Sequence, residues 1–177
     1  MKCFLFMLQG EILKKRGEEM VVGIISDTHD NMPAIEKAVN FFNENNAFLV
    51  LHAGDIVSPF TARIFQKLKG KMILIFGNND GDRLYLKKLF SPFAEIHNDP
   101  YIGEIEGKKI AMTHKPEIVD ALSLKYDIVI YGHTHEIEIK KEDSFIINPG
   151  ECCGYLTGKK SIALLFPQKM DAQIIYL

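Results

Sequence analysis

Five short segments carry most of the residues suited to metal or acid–base chemistry: Asp27-Thr28-His29, Gly54-Asp55, Gly77-Asn78-Asn79-Asp80, Thr113-His114 and Gly132-His133-Thr134-His135. Four of the six histidines lie in them. Imidazole, carboxylate and amide oxygen suit Mn, Fe, Zn or Ni, and no thiolate pair has zinc-finger spacing. Asp27 and His29 are two apart, as are His133 and His135. On an extended strand end, residues two apart point the same way, so each pair can offer two ligands to one side. The candidates are Asp27, His29, Asp55, Asn78, His114, His133 and His135. That set is too large for one ion in a small site. It suits two ions about 3.5–4 Å apart with one carboxylate bridging them. Singly, each segment has a plainer reading. A strand-end Asp or His ordinarily shapes a turn or caps a helix, Gly77–Gly81 reads as a turn, and Gly132–His135 reads as a hairpin tip. Their joint occurrence favours the metal.

Each segment follows a run that reads as a strand. Val21–Ser26, Ala47–His52 and Lys71–Phe76 are apolar and β-rich. Asn31 before Pro33 reads as a cap followed by a helix-compatible proline, with Ile35, Ala38, Val39 and Phe42 at helical spacing. Ser58–Leu68, Arg83–Phe90 and Pro116–Leu124 read as further helices. Tyr101–Ile105 and Lys108–Thr113 form a hairpin around Glu106-Gly107. Asp127–Tyr131, Ile137–Lys141, Phe145–Asn148, Ser161–Phe166 and Gln173–Tyr176 read as strands. Strand–helix alternation followed by a run of strands predicts an α/β domain with a mixed sheet or two packed sheets. In open α/β sheets, ligands gather outside the carboxyl ends of strands, so the five tips converge on one cleft.

The chain has 177 residues, which favours one domain with a substantial core. Hydrophobic residues at 47% and charged residues at 25% exclude a disordered, collagen-like or coiled-coil protein. A net charge of −2 argues against an extended nucleic-acid duplex as partner, because phosphate contact recruits Lys and Arg. Three cysteines, two of them adjacent, make no disulfide framework and suit a reducing cytoplasm. No apolar run reaches the roughly 20 residues of a membrane span, and the apolar stretch Cys3–Leu8 is too short for a signal peptide. Residues 1–19 read either as a real extension, with a charged segment holding Lys14-Lys15-Arg16, or as the product of a start assigned ahead of Met20. Residues 20–177 form the predicted catalytic domain.

The five motifs, in this order, resemble the calcineurin-like metallophosphoesterases, in particular the small archaeal and bacterial phosphodiesterase branch. Asn148-Pro149-Gly150 also matches that branch, and the resemblance runs from about Val21 to Leu177. It implies a four-layer αββα sandwich, with two mixed β-sheets flanked by helices. It implies Asp27, His29 and His135 on one ion, Asn78, His114 and His133 on the other, and Asp55 bridging. The ligands favour two Mn2+ ions, with Ni2+, Fe2+ or Zn2+ as alternatives. The implied reaction is hydrolysis of a small phosphodiester by a metal-activated water, with Asp55, Asn78 and Asn79 as catalytic residues and no membrane partner. Homo-oligomerisation is compatible with it. Many superfamily members carry His directly after the metal-binding Asn, as an acid for the leaving group. Here Asn79 stands there, and Lys115-Pro116 follow His114, so no histidine general acid is present. The alternatives are a phosphomonoesterase, or a protein-binding scaffold like the retromer subunit that keeps this fold with a degraded metal site.

Other polar residues receive quieter roles. His52 reads equally as a support for the site and as a satisfied core histidine. His97 reads as surface, Asp80 and Asp82 as turn residues, Cys152-Cys153 as buried small hydrophobes, and Lys115 as solvated or as a phosphate contact. Glu151 has no assigned role.

Overall fold

Strands apolar at successive positions must be covered on both faces, and that requirement sets the layering. The computed structural model describes residues 19–177. The strands are β1 (Val22–Ile25), β2 (Leu49–His52), β3 (Lys71–Ile75), β4 (Ala94–His97), β5 (Tyr101–Ile105), β6 (Lys108–Thr113), β7 (Ile128–Tyr131), β8 (Ile137–Lys141), β9 (Phe145–Pro149), β10 (Ser161–Phe166) and β11 (Asp171–Tyr176). The helices are α1 (Met32–Glu44), α2 (Ala62–Phe65), α3 (Arg83–Phe90) and α4 (Val119–Ser123). β1, β2, β7 and β9 are buried along their whole length.

A six-stranded sheet runs β11-β10-β1-β2-β3-β4 and a five-stranded sheet runs β5-β6-β7-β9-β8. Both are mixed. β1 to β4 pair in parallel while β10 and β11 run antiparallel. In the second sheet β6, β7 and β9 are parallel, with β5 and β8 antiparallel at the edges. Val22, Ile24, Leu49 and Leu51 of the first sheet pack on Ile110, Met112, Ile128, Ile130 and Ile147 of the second. Their alternate neighbours Ile25, Val50, Met72 and Leu74 meet Ile35, Val39, Phe42, Phe65, Leu86 and Phe90 from α1, α2 and α3. Val119 and Leu122 of α4 cover Val129, Tyr131 and Ile146 on the outer face of the second sheet. The expected αββα sandwich is present.

α1 starts where the sequence places it. Asn31 Oδ1 accepts from Ala34 N at 3.2 Å, and Pro33 occupies the first turn. The single helix expected over Ser58–Leu68 is instead a 3₁₀ turn, Pro59–Thr61, followed by the one-turn α2. Its end tightens through Lys67 N to Ile64 O and Leu68 N to Phe65 O, bonds that reach back only three residues. The expected helix Pro116–Leu124 likewise divides into a 3₁₀ turn and α4. β4 was not expected: the stretch around His97 reads as loop, because its residues are only partly buried and lack a clear period. Pairing with β3 makes it a strand. The readings for residues 1–18 lie outside the described residues.

Candidate metal centre

The loops after β1, β2, β3, β6 and β7, with the segment after β9, meet at one end of the two parallel strand sets. Asp27 and Asp55 are buried at the bottom, and Asn78, Asn79 and His133 are exposed above them. All seven predicted ligands come together there. Asp27 Oδ1 lies 3.8 Å from His29 Nε2 and 3.5 Å from His135 Nε2. Asn78 Oδ1 lies 3.0 Å from His114 Nε2 and 2.9 Å from His133 Nδ1. Asp55 Oδ2 sits between the groups, 3.6 Å from His29 Nε2 and 3.3 Å from His114 Nε2.

The surrounding bonds orient these atoms. His114 Nδ1 lies 2.7 Å from Ala53 O, an oxygen that only accepts, so Nδ1 carries the proton and Nε2 faces the centre. His135 Nδ1 meets Glu151 Oε2 at 2.8 Å with the same effect. Glu151 is fully buried and takes further bonds from Cys153 Sγ, Tyr155 N, Leu156 N and both Thr157 donors. Burial alone would raise its pKa, but the donors Cys153, His135 and Thr157 outweigh that and hold it well below the usual carboxylate range. Cys153 is pushed up to about 12, by burial first and then by its bond to Glu151, so it stays a thiol.

His52 joins two loops. Its Nδ1 accepts from Gly54 N at 3.2 Å, so its Nε2 donates to Thr28 Oγ1 at 3.2 Å. Complete burial lowers its pKa to about 3 and keeps it neutral. Both readings of this residue hold: it is a satisfied core histidine and a support for the site. Asp80 shapes a turn as expected, accepting from the amides of Asp55, Ile56, Val57 and Gly77. Asp82 caps α3 through Tyr85 N. Asn79 donates through its amide N and its Nδ2 to the two oxygens of Asp55, at 2.8 and 2.7 Å. Asn148 Nδ2 donates to Thr134 Oγ1 at 2.9 Å and braces the His133–His135 turn. His97 is a surface residue beside Glu95, and Lys115 is exposed.

The backbone concedes conformational ease to bring these atoms inward. Asp27, His29, Asp55, His133 and His135 all have positive φ, between 36° and 74°. Such conformations cost non-glycine residues on the order of 1–3 kcal/mol each and cluster at functional sites. Bonds from Asp27 N to Gly54 O, and from Thr28 N and His29 N to Asp55 O, lock them.

The ligand set fits a cation. Acceptor oxygens of Asp27, Asp55 and Asn78 converge with imidazole nitrogens, and the donors present, Asn79 on Asp55 and His133 N on Asp27 Oδ2, do not satisfy them all. Asp27 Oδ1 and His29 Nε2 are buried with no hydrogen-bond partner. In the metal-free protein the burden falls on protons. Burial lowers the pKa of His114, but its bond to Asp55 and the charges of Asp27 and Asp55 raise it more, and the net shift is upward. The pKa of His29 is raised, chiefly by Asp27. Asp55 resists its own burial through His114 and Asn79 and lies well below the usual range.

The functional residue that sequence reading left without a role is Glu151. The available signal was its place directly after Asn148-Pro149-Gly150. Cys153 also differs from expectation. It is a free thiol bonded to Glu151, with Sγ within 4.8 Å of ligand nitrogens of His29 and His135, and so is more than a small hydrophobe.

The model of the calcineurin-like phosphoesterase superfamily domain matches residues 20–170. Phosphodiesterase MJ0936 of Methanocaldococcus jannaschii is 43% identical over 165 residues, covering 89% of this chain and 99% of that protein. A solved archaeal phosphodiesterase superposes with a TM-score of 0.84 at 42% identity, covering 89% of this chain and all of the other. A Vps29 variant from Entamoeba histolytica shares the fold, with a TM-score of 0.65 at 20% identity over 89% of this chain and 99% of that one.

Proposed function

The chain belongs to the calcineurin-like phosphoesterase superfamily, and from that premise we propose that it is a two-metal phosphodiesterase acting on small soluble phosphodiesters in the cytoplasm. The observation that carries the proposal is the convergence of seven ligand side chains, two of them with buried unpartnered atoms, at the carboxyl ends of the strands. Asp27, His29 and His135 would hold one ion, Asn78, His114 and His133 the other, and Asp55 would touch both. Two such ions, Mn2+ by preference, supply Lewis acidity toward the phosphoryl oxygens and lower the pKa of the nucleophilic water.

The chain's own residues do the rest. Asn79 holds both oxygens of Asp55, leaving Asp55 a fixed anion between the two ligand groups. Glu151 and Ala53 O keep His135 and His114 in the tautomers that bind. Asn78 and Asn79, exposed above the buried carboxylates, are placed to orient the phosphoryl group. No histidine directly follows Asn78 in the chain to protonate a departing oxygen, and the two beside it in space, His114 and His133, are taken up as ligands in this reading. A general acid contributes about 10²–10⁴-fold, so the leaving group must supply that factor itself.

The Mn2+-loaded protein therefore hydrolyses aryl phosphodiesters at least about 100-fold faster than alkyl ones. Equal rates would refute the acid-free mechanism. Asp55→Ala abolishes metal-dependent hydrolysis of bis(p-nitrophenyl) phosphate while circular dichroism stays native. Retained activity with metal still bound would sink the assignment. The full ligand set favours an enzyme over a scaffold, since likeness to Vps29 at 20% identity carries fold alone. No hydrolysis with any divalent metal would reverse that preference.

A further inference from the structure

Among the described residues, β4, β5, β8 and β11 are the outer strands of the two sheets, and each has a neighbouring strand on one side only. β8 is the most open of them. Four of its five residues are exposed, against one of four in β4, two of five in β5 and three of six in β11. An exposed outer strand is a template for another chain. We propose that β8 pairs with β8 of a second copy of this chain, antiparallel about a two-fold axis at Ile139, so that the two five-stranded sheets join into one continuous sheet.

Charge selects both the occupant and the register. In a two-fold antiparallel pair, the residue on the axis meets its own copy, and residues equally far to either side meet each other. An axis between two residues sets outward-facing backbone groups against inward-facing ones and forms no ladder. An axis at Glu138 opposes two carboxylates, one at Lys140 opposes two ammonium groups, and like charges so placed destabilise a sheet. An axis at Ile137 opposes Glu136 to Glu138, and one at Lys141 opposes two copies of Lys141. An axis at Ile139 sets Ile139 against Ile139, Glu138 against Lys140 twice, and Ile137 against the aliphatic stem of Lys141. Glu136 and Glu142, which this register brings to one level, lie beyond the strand ends.

The side chains are already disposed for this contact. β8 pairs with β9 so that Ile137 and Ile139 share a face with Ile147, the face turned to the other sheet, and Glu138 and Lys140 lie on the outer face. Ile137 and Ile139 are 37% and 42% exposed, although they face inward, because no strand of their own sheet lies beyond them. Glu138 is held in place by Tyr131 Oη, which donates to its Oε2 at 2.7 Å and leaves Oε1 for a lysine. Lys140 Nζ lies 3.2 Å from Glu142 Oε2. Both are exposed, and such a pair contributes little, so Lys140 can exchange it for Glu138 of the second copy.

The test is the oligomeric state of the full chain, read by sedimentation velocity over a concentration series. The unaltered protein sediments as a dimer at about 100 μM. Glu138→Lys and Lys140→Glu each set two like-charged pairs across the axis, and each alone weakens the dimer about tenfold or more. Mixed in equal amounts, the two variants restore both opposite-charge pairs in a mixed dimer, and dimerisation returns. Ile139→Lys puts two like charges on the axis and sediments as a monomer. Circular dichroism of every variant stays native, because β8 keeps its ladder with β9. A monomer of the unaltered protein at that concentration overturns the proposal and leaves the edge to a different partner. A dimer that survives both charge variants, or a mixture of the two that stays monomeric, overturns it as well.

Discussion

At Glu151 a buried carboxylate bonds to five different donors in its own loop and to His135 Nδ1 across from it. The negative charge makes His135 a better ligand and fixes its ring. Glu151→Gln keeps the size but removes the charge and turns one acceptor into a donor. The expected result is a metal affinity about 10–100-fold weaker, with activity recovered at high Mn2+. Unchanged metal dependence in a Mn2+ titration of activity would show that Glu151 only folds its loop. The seven candidate ligands were legible as residues because each stands at the end of an apolar run, and all but His114 lie beside a glycine or two positions from another candidate. Glu151 was not, because its meaning comes from a histidine sixteen positions earlier and a loop six positions later.

At the scale of elements, the strand-end loops pack so closely that side chains are excluded at chosen points. A Cβ on Gly132, which follows β7, would collide with Ser26 Oγ and come within 3.0 Å of Ala53 O and Asp27 Oδ2. Gly132→Ala therefore pushes the β7 loop away from Asp27, at a cost of about 1–3 kcal/mol in denaturant unfolding and with a loss of metal binding. Ser26→Ala removes the nearest colliding atom and recovers part of that loss. A double variant as impaired as Gly132→Ala alone would place the strain elsewhere. The sequence marks Gly132 only as part of a motif; the clash that requires glycine exists once β7 lies over β1 and β2 from the opposite sheet. The same distance from sequence explains the elements that differed. β4 owes its existence to pairing with β3, and α2 is cut short by the return of the chain into β3.

For the whole molecule, the candidate metal centre joins the two sheets. Asp27, Asp55 and Asn78 come from the first, and His114, His133 and His135 from the second. Ion binding is therefore a cross-link, and saturating metal at 100 times its Kd adds about 2.7 kcal/mol of stability. Its pH dependence follows from the histidines. The folded pKa values of His29 and His114 lie above 6.5. Their contribution to metal-free stability is complete below 6.5 and is lost as pH rises through the raised values. The ions need those rings neutral, so metal affinity rises across the same window. The gain in Tm on adding Mn2+ is thus larger near pH 8.5 than near pH 6 by about several degrees. Equal gains at both pH values would mean that the histidines are not the ligands. Among the described residues, no helix is long and apolar enough to cross a membrane.

Sequence alone determined what depends on residue type and short spacing: the alternation of strands and helices, the cap at Asn31, and the seven side chains with ligand chemistry. These are local properties, written in neighbours within a few positions. Tertiary structure decided what depends on distance in space. It placed Asp55 Oδ2 between His29 and His114, gave Glu151 to His135, held His52 neutral between two loops, and left β8 at the outer edge of its sheet. Burial, unmet hydrogen bonds and shared charge exist only when two sheets close on each other, so no reading of neighbours along the chain could have contained them.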